Sequence, residues 1–250
     1  MSAPQLSGTT AVVTGASRGF GRAVATALVH AGASVIGVAR DQGRLAAVRA
    51  ELGERFTPVA ADAADPVTAG HLIDQYTPRL LVLAAGASPL SRPLPHQSWQ
   101  SFSRNWEVDV QQVFHWTREA LLRPLEPGSS VVAFSSGAVI AGSPLSGGYA
   151  GAKATIRYIT SYAADESERN GLGIRFMSVL PQLTPATDLG AMAVAGYAAR
   201  AGQDLADFIA SRGPALMPDE AGKAILDLAA DSGYRPGAYM LSAAGLKEAS

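Results

Sequence analysis

Two apolar runs, separated by a glycine-rich turn and a helical stretch, occupy the first 40 residues and constrain the fold more than any other feature. The segment "AVVTGASRGFGRAVATALVHAGASVIGVAR" predicts a strand at Thr10–Thr14, a helix at about 19–31 and a second strand at Ser34–Arg40. Consecutive apolar residues, as in Val12-Val13, are typical of parallel strands that are covered on both faces. The segment is therefore predicted to be a β-α-β unit.

The same alternation continues to the end of the chain. Further strands are predicted at Phe56–Ala61, Leu80–Ala85, Ser130–Ser135, Ile174–Leu180 and Ala238–Leu241, with helices at about 42–52, 66–76, 98–122, 149–169 and 219–230. This pattern predicts one α/β domain over residues 1–250, a doubly wound parallel sheet of about seven strands with helices on both faces. Residues 182–218 lack a clear strand pattern, and we expect them to form a loop or lid over a functional site.

The composition excludes several classes of function. A net charge of −1 gives no general attraction to nucleic acid or to an anionic membrane, and the absence of cysteine excludes disulfides and thiolate metal sites. The four histidines lack ligand spacing, so no metal is expected. No signal-peptide pattern and no apolar run of membrane-spanning length is present, which predicts a cytoplasmic protein that acts on small molecules.

The turn after the first strand carries the first functional motif. Gly15, Gly19 and Gly21 allow a ligand to approach the backbone closely, and the N–H groups at the start of the following helix favour a phosphate. With Thr14 in front, the segment "TGASRGFG" resembles the cofactor turn of the short-chain dehydrogenases/reductases. That resemblance implies a Rossmann fold and a bound nicotinamide dinucleotide.

The segment "YAGAKA" carries the second motif. Tyr149 and Lys153 are four residues apart and share one face of a predicted helix. A free phenol has a pKa near about 10, and a neighbouring ammonium stabilises its ionised form. A tyrosine in this setting can give a proton to a carbonyl oxygen and take one back.

A serine completes the second motif. Ser136 lies 13 residues before the tyrosine and just past a predicted strand, where sites gather in doubly wound sheets. The Ser-x12-Tyr-x3-Lys spacing is that of the same family, so the resemblance covers essentially the whole chain. Ser135 is an adjacent alternative, but neighbouring strand residues point in opposite directions and the spacing selects Ser136.

The resemblance implies a role for each of these residues and for one departure. Tyr149 is the acid/base, Lys153 tunes it and binds the nicotinamide ribose, and Ser136 polarises the substrate oxygen. Asp109, in "WEVDVQQVF", occupies the position of a family asparagine that holds a water linked to the lysine. The aspartate either pairs with Lys153 or is kept protonated by burial. We expect a proton path to survive, so that Asp109→Asn retains or raises activity.

The end of the second strand predicts the preferred cofactor. Members of the family that prefer NAD carry an acid where this chain has Ala39, and alanine offers no acceptor to the ribose hydroxyls. Arg40 follows directly, and Arg18 lies in the glycine turn. Two guanidinium groups suit a ribose 2′-phosphate, which predicts NADP(H) as the preferred cofactor, with NAD(H) possible.

The remaining cofactor contacts are also implied by the resemblance. Asp62 is expected to bind the adenine amino group, although a loop-stabilising role fits it equally well. Thr187 and Thr184 compete for the nicotinamide side. The full predicted set is Thr14, Gly15, Ser17, Arg18, Gly19, Phe20, Gly21, Arg40, Asp62, Ala63, Ala85, Gly86, Pro181, Thr184 and Thr187.

Two further segments depart from the family pattern. The usual Asn-Asn-Ala-Gly appears as "LAAG" at residues 83–86, without the asparagine side chains. Gln182 stands where the family has glycine, which predicts backbone strain if that glycine used a positive φ. The chain therefore resembles a divergent member of the family.

Together these features predict an NADP(H)-dependent oxidoreductase that moves hydride between nicotinamide and a carbonyl or alcohol of a small apolar substrate. It would be of the carbonyl reductase or alcohol dehydrogenase type. The alternative is a cofactor-binding regulator or scaffold with little turnover. The substrate pocket is expected to be lined by Pro89, Leu90, Val139, Ile140 and Leu145.

Relatives associate through their two long helices, so a homodimer or homotetramer is expected. The apolar residues on the corresponding helices of this chain are either such a surface or core: Val113, Trp116, Ile156, Ile159 and Tyr162.

Overall fold

Eight strands form one sheet in the computed structural model, which describes residues 6–231 and 233–249. The strands are β1 (Thr10–Thr14), β2 (Ser34–Ala39), β3 (Phe56–Ala60), β4 (Leu80–Leu83), β5 (Ser130–Phe134), β6 (Arg175–Pro181), β7 (Gly237–Ser242) and β8 (Gly245–Glu248). Their order is β3-β2-β1-β4-β5-β6-β7-β8. The first seven are parallel, and β8 pairs antiparallel with β7.

Helices connect the strands and cover both faces of the sheet. They are α1 (Gly19–His30), α2 (Gln42–Leu52), α3 (Pro66–Tyr76), α4 (Trp99–Asn105), α5 (Gln111–Leu122), α6 (Ala138–Ala141), α7 (Gly147–Arg169), α8 (Asp188–Ala201), α9 (Leu205–Ala210) and α10 (Pro218–Ala230). Short 3₁₀ segments lie at Gly53–Arg55 and Leu94–His96. A π-helical turn, Trp106–Val110, joins α4 to α5.

The predicted doubly wound parallel sheet is confirmed, with one more strand than expected. β8 has only four residues, two of them charged, so its sequence lacks the apolar run that marks the other strands. The helix predicted at 98–122 is divided by the π-helical turn. The 182–218 segment contains α8 and α9.

The buried core forms on both faces of the sheet because successive strand residues point to opposite sides. Val13 packs in one core cluster and Val12 in the other. Trp116 is fully buried in the second cluster, and its indole N–H donates to the Ala63 carbonyl at 2.9 Å. Of the five helix residues for which the sequence left surface or core open, Val113, Trp116 and Ile156 are fully buried, Ile159 is partly buried against the core and Tyr162 is exposed.

The strand order positions the functional site. The chain runs from β1 outward to β3 and then returns to β4 on the other side of β1. In doubly wound sheets ligands bind outside the carboxyl ends of the strands at such a reversal. The segments that follow β1 and β4 are therefore expected to form the floor of a binding cleft.

Within the described ranges no helix is long and apolar enough to cross a membrane. Residues 1–5, on which the expectation of no signal peptide partly rests, lie outside the described residues.

Gly37 in β2 has no room for a side chain. A Cβ there would lie 2.1 Å from Cζ of the buried Phe56. We expect Gly37→Ala to lower the free energy of unfolding by about 1–3 kcal/mol through overpacking. Gly43, where an added Cβ would meet its nearest atom at 3.5 Å, serves as the control. Gly43→Ala is expected to be neutral or to stabilise by up to about 1 kcal/mol. Urea unfolding of both variants measures the difference, and equal effects would contradict the packing argument.

Candidate active site

A cleft of about 830 Å³ lies at the carboxyl ends of the strands. Its lining extends from Asp62, after β3, past the glycine turn to Pro181 at the end of β6. Tyr149 and Lys153 line the same cleft. The strand order thus places the predicted cofactor residues and the predicted catalytic pair along one continuous groove.

The glycine turn forms a cradle that side chains would fill. Gly15 has a φ of +70°, and a Cβ on it would lie 2.8 Å from the Ala85 nitrogen. A Cβ on Gly21 would lie 2.3 Å from the Gly15 carbonyl oxygen. Arg18, at the N-cap of α1, makes no side-chain capping hydrogen bond, whereas Asp41 caps α2. The first turn of α1 therefore keeps N–H groups that can bind a phosphate.

Most of the guanidinium groups along the cleft have acidic partners. Arg22 pairs with Glu51, Arg44 lies 3.3 Å from Asp41, and Arg18 lies 3.6 Å from Asp188 at the start of α8: all three pairs are on the surface. Arg40 is exposed, and no ion pair to it occurs in the described part of the chain. A cation without a partner at this position suits an additional phosphate group.

Lys153 and Tyr149 lie together on α7. The Lys153 Nζ is 5.6 Å from the centroid of the Tyr149 ring. The same Nζ donates to the Phe134 carbonyl at 2.9 Å and lies 3.1 Å from Oδ2 of Asp109. The end of β5 and the π-helical turn therefore hold the ammonium beside the phenol.

Asp109 lies in the π-helical turn, and 1% of its side chain is exposed. Its Oδ1 accepts from the Ala87 N–H at 2.8 Å, and Asn105 donates to the Ala87 carbonyl at 2.7 Å. Of the two forms left open by the sequence, this geometry supports the ion pair with Lys153.

The pKa of Lys153 is the net result of opposing effects. Burial acts to lower it, but the negative charges available on Asp109 and Tyr149 outweigh burial, so that the pKa of Lys153 is raised above its ordinary value. Lys153 therefore keeps its proton throughout the neutral range, and Asp109 balances its charge.

Ser135 and Ser136 follow the end of β5 and have different partners. Ser135 is buried, lines the cleft and donates to the Lys153 carbonyl at 2.7 Å. The Ser136 hydroxyl lies outside this lining and accepts from the Ala138 N–H at 3.2 Å. The role of Ser136 toward a substrate oxygen stays a prediction.

The other predicted cofactor residues also line the cleft, except for Thr14. They are Gly15, Ser17, Arg18, Gly19, Phe20, Gly21, Arg40, Asp62, Ala63, Ala85, Gly86, Pro181, Thr184 and Thr187. Thr14 is fully buried at the end of β1. Asp62 accepts from the Ala64 N–H at 3.0 Å, so that one of its oxygens stabilises the local turn.

The segment after β6 is held by its own polar side chains. Thr184 is buried and donates to the Leu216 carbonyl at 2.8 Å, while Thr187 caps α8 by accepting from the Gly190 N–H at 3.1 Å. The expected strain at Gln182 is absent: in the described part of the chain only Thr77 has a positive φ among non-glycine residues. Gln182 instead donates to the Pro214 carbonyl at 2.8 Å.

Sequence reasoning missed two polar residues near the cleft, Asn105 and Gln112. Both are 1% exposed, and Gln112 lines the cleft. A signal was available, because Asn105, Asp109 and Gln112 follow an i, i+4, i+7 spacing and precede the buried Trp116. Buried amides need hydrogen-bond partners, so this polar face pointed to a specific contact surface.

Comparison with known proteins identifies the family. The model of the family described as short chain dehydrogenase matches residues 9–197. The chain belongs to the short-chain dehydrogenase family. It is 34% identical over 180 residues to a short chain dehydrogenase of Pseudocercospora fijiensis, a match that covers 67% of this chain and 58% of that protein.

Solved structures share the fold of this short-chain dehydrogenase. A 3-ketoacyl-(acyl-carrier-protein) reductase from Brucella melitensis, complexed with NADH, has a TM-score of 0.78 at 22% identity, over 95% of this chain and 98% of that one. A chain from Beutenbergia cavernae with NADP bound at low occupancy has a TM-score of 0.81 at 25% identity, over 94% and 96%. The two similar structures thus contain different nicotinamide cofactors.

Removing one partner of the buried ion pair tests its role in this short-chain dehydrogenase. Asp109→Asn is expected to lower the free energy of unfolding near pH 7 by about 3 kcal/mol, because it leaves the Lys153 ammonium buried without a counter-charge. In the wild type the raised pKa of Lys153 gives stability that is present below the unfolded pKa of about 10.4 and lost only as the pH rises through the folded pKa. In the variant, burial lowers the pKa of Lys153 in the folded state. The variant therefore regains stability as the pH rises toward the unfolded pKa of about 10.4.

The measurement is thermal or urea unfolding of the wild type and of Asp109→Asn from about pH 6 to about pH 10. The stability difference should narrow with rising pH. Asp165→Asn, on the exposed face of α7, is the control and should show a small difference at every pH. If the difference in unfolding free energy between Asp109→Asn and the wild type stayed constant over this pH range, the charged pair would be contradicted.

Proposed function

We propose that this short-chain dehydrogenase transfers hydride between NADP(H) and a carbonyl or alcohol of a small, mainly apolar substrate. The supporting observation is the Lys153 ammonium 5.6 Å from the Tyr149 ring, in the same cleft as the glycine cradle. A proton donor with a neighbouring cation, beside a dinucleotide-sized groove, is the arrangement that carbonyl reduction requires.

The residues of the chain divide the work as follows. The nicotinamide cofactor supplies or accepts the hydride when it is bound. Tyr149 gives its phenolic proton to the developing alkoxide during reduction and takes a proton from the alcohol during oxidation. Lys153 stabilises the phenolate, and Ser136 donates to the substrate oxygen once the substrate reaches it. Glycine backbone and the N-terminus of α1 hold the diphosphate.

Asp109 affects the balance of charge around the phenol. Its carboxylate, 3.1 Å from Lys153, offsets part of the field by which the ammonium stabilises a phenolate.

The preference for NADP(H) rests on Arg40 and Ala39. Arg40 projects into solvent at the end of β2 without an acidic partner in the described ranges, and Ala39 offers no acceptor to ribose hydroxyls. Arg44 and Arg22 also line the cleft, but Asp41 and Glu51 balance their charges. Arg40, unpaired in the part of the chain that the structure describes, favours a cofactor that carries a 2′-phosphate.

The apolar character of the substrate is proposed from the sequence. None of the five residues expected to line the substrate pocket belongs to the lining of the cleft: Leu145 is buried, and Leu90 and Ile140 are exposed. Tyr197 of α8 hydrogen-bonds Ser143, which joins the predicted lid to the loop that precedes Tyr149. This contact supports a lid role for residues 182–218.

Self-association is part of the proposal. Phe114 on α5 and Tyr158 and Tyr162 on α7 are each at least half exposed, and the two tyrosine rings stack on each other. Exposed aromatic residues on the two long helices support the expected homodimer or homotetramer of a cytoplasmic enzyme.

Turnover provides the direct test of the function. The protein is mixed with NADPH and a panel of aldehydes and ketones, and the loss of NADPH absorbance is followed. Tyr149→Phe is expected to reduce kcat by about 10²-fold or more while leaving the dissociation constant for NADPH within about threefold, because only the proton donor is lost. Tyr158→Phe, an exposed tyrosine on the same helix, is the matched control and should retain wild-type turnover.

One outcome would favour the regulator or scaffold instead. It is tight NADPH binding by the wild type without turnover on any member of the panel.

Arg40→Ala tests the cofactor preference. We expect kcat/KM for NADPH to fall by about 10-fold or more while kcat/KM for NADH changes by less than about 2-fold, since only the 2′-phosphate loses a partner. Arg104→Ala, exposed on α4 and outside the cleft, controls for a general loss of positive charge. Steady-state kinetics give kcat/KM for NADPH and for NADH. A wild-type protein whose kcat/KM is higher with NADH would reject the proposed preference for NADP(H).

A further inference from the structure

A closed ring of hydrogen bonds connects Thr14, Gln112 and Ala85 beneath the cleft. The Thr14 hydroxyl donates to Oε1 of Gln112 at 2.8 Å. The Gln112 amide donates to the Ala85 carbonyl, and the Ala85 N–H donates back to the Thr14 hydroxyl at 3.1 Å. The Ala84 N–H donates to the same hydroxyl at 3.0 Å. Each member of the ring thus donates one hydrogen bond and accepts at least one.

The Thr14–Gln112 side of the ring is shielded from water, while Ala85 is partly exposed at the cleft. Thr14 is 0% exposed and Gln112 is 1% exposed. Hydrogen bonds in such surroundings are stronger than in water, and a missing partner leaves a buried polar group unsatisfied. The geometry of the ring is therefore tightly determined by its three members.

The ring joins the two backbone segments that form the floor of the cleft. Thr14 immediately precedes Gly15, and Gly15 approaches Ala85 so closely that a Cβ would lie 2.8 Å from the Ala85 nitrogen. Ala85 precedes Gly86, and both Gly15 and Gly86 line the cleft. The glycine turn and the loop after β4 are therefore linked directly, through the Thr14 hydroxyl, and a second time through Gln112, whose side chain bonds both segments.

Gln112 also supplies a side-chain amide to the segment after β4, which has none. Residues 84 and 85 are alanines, so this segment has no side-chain amide of its own. The amide reaches it instead from the first turn of α5. Two residues after Ala85, the Ala87 N–H donates to Asp109, which lies in the π-helical turn that precedes α5.

We propose that Gln112 is a positioning residue for the dinucleotide, acting through Thr14 and Ala85 to hold the glycine turn and the loop after β4 at the separation that the cofactor requires. The proposal rests on the proposed function, since it presupposes that the cleft binds NADP(H). Gln112 acts on cofactor binding, and proton transfer depends on Tyr149 and Lys153.

The test compares Gln112→Met with Gln111→Met. Methionine preserves the length of the side chain and removes both hydrogen-bonding groups, and Gln111 is the exposed neighbour on the same helix. NADPH fluorescence titration is expected to give a dissociation constant about tenfold higher for Gln112→Met and within about twofold for Gln111→Met. At saturating NADPH, kcat of Gln112→Met should stay within about threefold of the wild type.

A double-mutant cycle separates positioning from a general loss of stability. If the ring acts as a unit, Thr14→Val combined with Gln112→Met raises the NADPH dissociation constant no further than the larger single effect. Additive effects would overturn the proposal. Gln112→Glu provides a second variant should Thr14→Val fail to fold: its carboxylate still accepts from Thr14 but cannot donate to Ala85, so its dissociation constant should also rise.

Wild-type affinity for NADPH in both Gln112→Met and Gln112→Glu would overturn the positioning role while leaving the proposed function intact. Absence of NADPH binding by the wild type would overturn the proposed function itself.

Discussion

The burial of the Lys153 ammonium is the constraint on which the site depends. An isolated charge at this depth would lose its proton or destabilise the fold, so the chain must surround it with acceptors. The carbonyl at the end of β5 and the carboxylate of Asp109 supply them. The cation is thereby held beside the Tyr149 ring, at the point where the sheet opens into the cleft. The packing of β5, the charge balance with Asp109 and the proposed role of Tyr149 therefore all depend on the position of this ammonium.

The π-helical turn carries the carboxylate that pairs with that amine. The wider turn at Trp106–Val110 lies between α4 and α5 and brings Asp109 to the cleft. Asn105 lies before the turn and Gln112 after it, and their amides contact Ala87 and Ala85. One irregular turn therefore orients three polar residues toward the same loop. π-Helical turns are frequently found at functional sites.

The sequence predicts the parallel sheet and the glycine-rich groove, but it does not predict β8 or the side-chain hydrogen bonds between residues that are distant along the chain. Consecutive apolar runs identify the central strands, such as β4 and β5, because parallel strands buried on both faces leave a strong local signal. The glycine turn and the Tyr149–Lys153 spacing likewise depend on local geometry. By contrast, β8 is short and polar, and the partners of Gln112 lie 27 and 98 residues away along the chain. Such pairings arise from tertiary packing, which spacing rules do not contain.

The departures from the family pattern contact one another, and this bears on whether the site is functional or has decayed. Asp109 accepts from the backbone of the loop that has lost its asparagines, and a Cβ on Gly86 would lie 2.9 Å from that carboxylate. Gln112 donates to Ala85 in the same loop. Decay removes side chains independently and leaves buried polar groups unpaired, at a cost of about 1–3 kcal/mol each. In this loop Asp109 Oδ1 accepts from Ala87 and Gln112 donates to Ala85. Oδ2 of Asp109 has no hydrogen-bond partner, but it lies 3.1 Å from the Lys153 ammonium. This pairing favours a rearranged working site over a relic that only binds its cofactor.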